Sequence, residues 1–69
     1  MNLIINGESR QFSESSLSLA ALVEKLGMKA DRVAVELNRQ IVRREQWPST
    51  LLKDDDRLEI VHFVGGGNS

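Results

Sequence analysis

The chain has no cysteine. That excludes disulfides, thiolate metal sites, a cysteine nucleophile and sulfur chemistry on a side chain. It also has no excess of either charge: nine Lys and Arg stand against ten Asp and Glu, a formal net charge of −1. Nothing of that kind draws a protein to nucleic acid or to anionic lipid. Long apolar runs are missing as well. The longest, residues 19–23, includes two alanines and falls far short of a membrane span or signal-peptide core. The expectation is a cytoplasmic protein with no nucleic-acid or membrane partner. With 69 residues the chain holds one domain at most, because folding at this size buries only about 60% of the surface exposed when unfolded. What is present suits a globular domain: 41% hydrophobic and 28% charged residues, well away from disordered compositions.

The order of elements is legible from periodicity. Leu3, Ile4 and Ile5 lead into Asn6-Gly7, a hairpin signal because both turn positions tolerate positive φ. A returning strand is expected over residues 9–12, then a polar connection over 13–16. Ser18 is placed to cap a helix, with Leu17 and Leu22 at the spacing of a hydrophobic staple. Leu19, Leu22, Val23 and Leu26 follow i, i+3, i+4, i+7 and form one apolar stripe, and Gly27 is the expected stop. Val33, Val35 and Leu37 alternate with Ala34, Glu36 and Asn38 as a half-buried strand. Residues 40–43 form a short further strand. Residues 44–50 hold Trp47-Pro48 and are expected to be an irregular crossing with a short turn of helix, the proline disfavouring helix at Trp47. A turn at Asp54-Asp55-Asp56 precedes the last strand, residues 57–64. One helix covering one face of a mixed sheet makes an α+β domain, with the first and last strands parallel at its centre.

Several residues invite functional readings that their surroundings do not support. Asp54, Asp55 and Asp56 are adjacent, and adjacent carboxylates rarely converge the six or so oxygens a hard cation needs, so a solvated turn is expected. His62, the only histidine, has no nucleophile motif beside it and is expected at the sheet edge near the chain end. Arg39, Arg43 and Arg44 are read as a solvated basic face or a complement to an acidic partner. Trp47 is read as a partly buried lid. Val61 and Phe63 differ: alternation places them opposite Leu58 and Ile60, on the helix-free side. There they are either a docking patch or covered locally by neighbouring chain.

After Val64 come Gly65-Gly66-Gly67-Asn68-Ser69. Glycines bury no side chain and lose the most backbone entropy on ordering, so 65–69 are expected to be a flexible tail beyond a domain of residues 1–64. Such a tail is either an inert terminus or a strand without Cβ atoms that threads a narrow channel and presents a carboxylate.

Over its whole length the chain resembles the ThiS family of sulfur carriers of thiamine biosynthesis, ubiquitin-like β-grasp proteins. The resemblance rests on Asn6-Gly7, on Val35-Glu36-Leu37-Asn38, on residues 42–47 (VRREQW) and above all on residues 58–67 (LEIVHFVGGG). It implies a β-grasp fold with four to five strands and one main helix. It implies a non-catalytic carrier, a monomer when free, that binds no cofactor itself. A ThiF-type adenylating enzyme would use ATP and Mg to activate the carboxylate of Gly67, with Gly66 beside it in the channel. Val61, Phe63 and Gly65 would dock to that enzyme. Sulfur, from a source such as a cysteine desulfurase, would make a thiocarboxylate, and thiazole synthase would take it. Carriers for molybdopterin or cysteine synthesis, and ubiquitin-like protein modifiers, share the pattern. Two departures stand out. Asn68-Ser69 follow the diglycine at which the family ends, through processing, addition to the natural chain, or loss of competence. Asp55 also stands where the family often has glycine, a substitution that a residue tolerant of left-handed backbone survives.

Overall fold

The computed structural model describes residues 1–63. The expected tail, residues 65–69, and Val64 before it lie outside the described residues. Among the described residues, seven strands and one α-helix follow in order: β1 (Asn2–Ile5), β2 (Glu8–Gln11), β3 (Leu17–Ser18), α1 (Leu19–Lys25), β4 (Val33–Leu37), β5 (Gln40–Val42), β6 (Leu51–Leu52) and β7 (Arg57–His62). Five strands form a mixed sheet in the order β2-β1-β7-β4-β5. β1 and β7 are parallel, with Ile4 opposite Arg57, and β4 and β7 are antiparallel. This is the α+β, β-grasp arrangement expected, with the last strand central and the first strand beside it.

The sheet buries one face under α1. Leu3, Ile5, Val33, Val35, Leu58 and Ile60 come from the strands, and Leu19, Leu22 and Val23 from the helix. Each fully buried Leu, Val or Ile contributes about 1.5–3 kcal/mol relative to exposure. The helix has only seven residues and depends on this packing. Its ends are closed locally. Ser18 Oγ accepts from Ala21 N at 3.0 Å. Gly27, at φ +76, donates to Glu24 O, and Met28 N donates to Val23 O at 3.1 Å. That pair of bonds is a Schellman stop, which needs the left-handed conformation glycine adopts without steric cost.

Two asparagines at hairpin turns hold the central strand. Asn6 (φ 51) and Gly7 (φ 84) turn β1 into β2, and Asn38 (φ 50) and Arg39 (φ 72) turn β4 into β5. Beyond the end of β1, the Asn6 side chain continues the ladder: Ile60 N donates to its Oδ1 at 2.8 Å, and its Nδ2 donates to Ile60 O. At the opposite end of β7, Arg57 N donates to Asn38 Oδ1 at 3.0 Å, and Asn38 Nδ2 donates to Asp56 Oδ1. Both amides satisfy backbone or carboxylate groups that a shorter side chain would leave unpaired.

Four expectations are corrected. Asp56 does not belong to a solvated turn: it is buried and also accepts from Lys53 N at 2.8 Å. Its neighbour Asp55 does sit at positive φ (+70). Trp47 is buried rather than partly buried, and its Nε1 donates to Val42 O at 2.9 Å. The short turn of helix expected in this crossing is present as a 3-10 helix, Arg44–Ser49, but it includes Trp47, where the proline was expected to disfavour helix. The short turns bonded through Gln46 N to Arg43 O and Thr50 N to Trp47 O straddle the proline, which lacks a donor of its own. Finally, His62 closes the central strand opposite Val33 rather than lying on an edge. The sequence reading also missed β3 and β6, a two-residue antiparallel pair with Leu17 opposite Leu52.

Candidate functional site

Strand alternation that buries Leu58 and Ile60 must present Glu59 and Val61 on the other face, and α1 covers only one face. There Val61 is 57% exposed and Phe63, just beyond the strand, 55% exposed. Among the described residues no neighbouring segment covers either side chain.

The register extends the patch across two more strands. Ala34 lies opposite Val61, and Glu36 lies opposite both Glu59 and Ile41. Ile41 is 76% exposed, the most open large apolar side chain among the described residues. Ala34, Val35, Glu36, Ile41, Glu59 and Val61 line a shallow recess of about 240 Å³. Ile41 and Ala34 were missed as candidates. The signal was present: reading Asn38-Arg39 as a two-residue turn pairs Val42 with Val35 on the core side and turns Ile41 outward.

β7 carries this patch towards the glycines. Phe63 N donates to Arg32 O at 2.8 Å, so the chain is still backbone-bonded to the body of the domain one residue after His62. Gly65, Gly66 and Gly67, the candidate docking and reactive positions, follow in sequence but lie outside the described residues.

The other candidates are dispersed. Among the described residues no group of three or more His, Cys, Asp or Glu is gathered as a metal site would require. His62 is exposed. Asp54 Oδ1 accepts from Asn2 N, and Asp55 Oδ1 accepts from Asn2 Nδ2, so the aspartates brace the start of β1. Arg43 and Arg44, with Glu45, line an open recess of about 420 Å³. It is larger than the one beside Val61, and the described residues that line it are charged. Among the described residues, Glu14 is the one group whose acidity is clearly displaced. A 2.8 Å hydrogen bond from the Lys25 ammonium, helped by the backbone amide of Glu14, holds its carboxyl below the ordinary range.

The sequence pattern of the ThiS family matches residues 3–67. A thiazole synthase of Paramagnetospirillum magneticum is 46% identical over 68 residues, covering 99% of this chain but 21% of that protein. The chain thus spans about a fifth of the length of that relative. The sulfur carrier protein ThiS of Bacillus subtilis is 34% identical over 65 residues, covering 94% of this chain and 98% of that one. Among solved structures, the crystal structure of a thiamine biosynthesis protein (ThiS) from Geobacter metallireducens superposes with a TM-score of 0.85. It is 38% identical and covers 97% of this chain and all of that one.

Proposed function

This chain belongs to the ThiS family, and from that premise we propose that it is the sulfur carrier of thiazole formation in thiamine biosynthesis. The observation that carries the proposal is the extent of the family match. It runs to residue 67, so it includes the glycine run together with the strand and exposed patch that precede it.

The chemistry assigns the reactive group to the main chain. A carboxylate is a poor electrophile. In the proposed first step a carboxylate oxygen of Gly67 attacks the α-phosphorus of ATP, and the bond to pyrophosphate breaks. The acyl carbon then has AMP as a good leaving group. A sulfur nucleophile displaces it; where that nucleophile is a persulfide, a thiol must reduce the resulting acyl disulfide to free the thiocarboxylate. A chain without cysteine carries sulfur in this way on its terminus. The chain is a substrate rather than a catalyst. ATP, the Mg ion and the groups that offset the repulsion between carboxylate and triphosphate belong to a ThiF-type adenylating enzyme. Val61 and Phe63, with Gly65, dock to that enzyme, and Gly66 leaves room for the chain in its channel. A cysteine desulfurase supplies the sulfur. Thiazole synthase consumes it, a partnership supported by the relatives of that name that contain a stretch like this whole chain.

The test is ATP–pyrophosphate exchange with the adenylating enzyme added. A chain ending at Gly67 is expected to support exchange, and the same chain carrying Gly66→Val or ending at Ser69 far less. Mass spectrometry of chain taken from cells is expected to show a gain of about 16 Da on the terminal residue. Fragmentation separates it from methionine oxidation, which adds nearly the same. Equal exchange from the chain ending at Ser69, without trimming, would overturn Gly67 as the acceptor.

A further inference from the structure

The helix-free face carries two carboxylates in its middle. Glu36 and Glu59 stand opposite each other on β4 and β7, where directly opposed side chains have Cβ atoms about 4.5–5.5 Å apart and like charges are unfavourable. Both are exposed. Neither forms an ion pair: among the described residues the single ion pair joins Lys25 to Glu14. Arg57 lies on the same face of β7 as Glu59, yet makes no ion pair with it. Around the two carboxylates are the apolar groups of the recess, Ala34, Ile41 and Val61.

In water this arrangement is tolerable, because both carboxylates are solvated. A partner that packs on Ile41 and Val61 strips that water away. Two neighbouring carboxylates left dry and unpaired would oppose the contact strongly. The apolar rim and the acidic centre are therefore compatible with only one kind of occupant, an apolar surface with a cation at its middle. We propose that this face receives a protein partner through a basic side chain set among apolar ones, seated between Glu36 and Glu59. Arginine fits best, because its planar fork donates to two carboxylates at once. The inference rests on the docking reading above and deepens it: the adenylating enzyme is the partner, and the acidic pair selects it against partners with a wholly apolar or acidic surface.

The experiment measures the affinity of the full chain for the purified adenylating enzyme at low and high salt, with the melting temperature of each free variant. The variants are Val61→Asp, the double Glu36→Gln, Glu59→Gln, and Glu36→Lys. The double glutamine variant is expected to melt at or above the parent temperature, since a repulsion is removed. It is also expected to bind at least about tenfold more weakly, with a flatter salt dependence. Glu36→Lys is expected to weaken binding further. If Val61→Asp weakens binding while the double glutamine variant binds like the parent, the docking face stands and the basic partner group is overturned. If neither change affects binding, docking lies elsewhere and both readings fall. Weaker binding of the glutamine variant with a matching fall in melting temperature would make the pair merely structural and would also overturn the inference.

Discussion

The two faces of the five-stranded sheet are made by the same strands and obey opposite rules. Under α1, Leu58 and Ile60 are buried with Leu3, Val33 and Val35. One residue along β7 in either case, Glu59 and Val61 are open to water. The covered face holds the domain together by removing apolar surface from water. The open face keeps apolar side chains where they add little to folding, and places two like charges side by side. A face optimised for stability alone would do neither. The contrast separates residues that build the domain from residues available for contact, and it does so within a single strand.

That contrast can be tested most severely at the covered face. Leu22→Ala is expected to cost about 2–5 kcal/mol, by losing buried side-chain surface and leaving a cavity under the helix. For a domain this small, that is a large share of its stability. An unchanged melting temperature would show that α1 does not supply the core. Asp56→Ala is expected to cost about 1–3 kcal/mol, because the buried Asp56 carboxylate is lost and Lys53 N and Asn38 Nδ2 each lose a partly buried partner. Chemical denaturation would measure it, and a neutral result would return Asp56 to the solvated turn. On the open face, Val61→Asp is expected to change stability by about 1 kcal/mol or less. A loss as large as that of Leu22→Ala would mean the two faces are not distinct.

The smallest effect is electrostatic. The Glu14 carboxyl titrates below its ordinary value of 4.5 because the Lys25 ammonium donates to it. The folded state therefore favours the ionised form. Its contribution is fully present above the unfolded value and is lost as pH falls through the lowered folded value. Glu14→Gln is expected to flatten the acid limb of the stability curve slightly below about pH 4.5. The effect is modest, because the pair is solvent-accessible and screened. An unaltered acid limb would remove this pair from the account.

Much of the fold was legible because local signals agreed with the tertiary outcome. The cap at Ser18, the stop at Gly27, the turn at Asn6-Gly7 and the alternation of residues 33–37 each depend on residues close in sequence. The misses depend on distant ones. β3 and β6 are two residues each, too short for any periodicity, and exist because Leu17 meets Leu52 across the chain. Trp47 is buried by segments that its own neighbourhood does not announce. Asp56 looked solvated because it stands in a run of three aspartates. Its burial follows from Asn38, eighteen positions away, donating to it. At the candidate site, Val61 and Phe63 followed from alternation. Ile41 was missed because its outward direction follows from the turn at Asn38-Arg39 rather than from the periodicity of its own three-residue strand.

The sequence by itself determined the order of the elements, which residues of each point inward, and the glycine run that ends the family pattern. These depend on backbone preference and periodicity, properties of residues within a few positions of one another. Only the tertiary structure decided that Glu36 faces Glu59, that β4 with its hairpin partner lies against β7 so that Ala34 and Ile41 join Val61 in one recess, and that two turn asparagines clamp the central strand. Strand register brings these groups together across 19 to 54 positions of chain. A periodicity of two carries no information about which residue of the next strand will stand opposite.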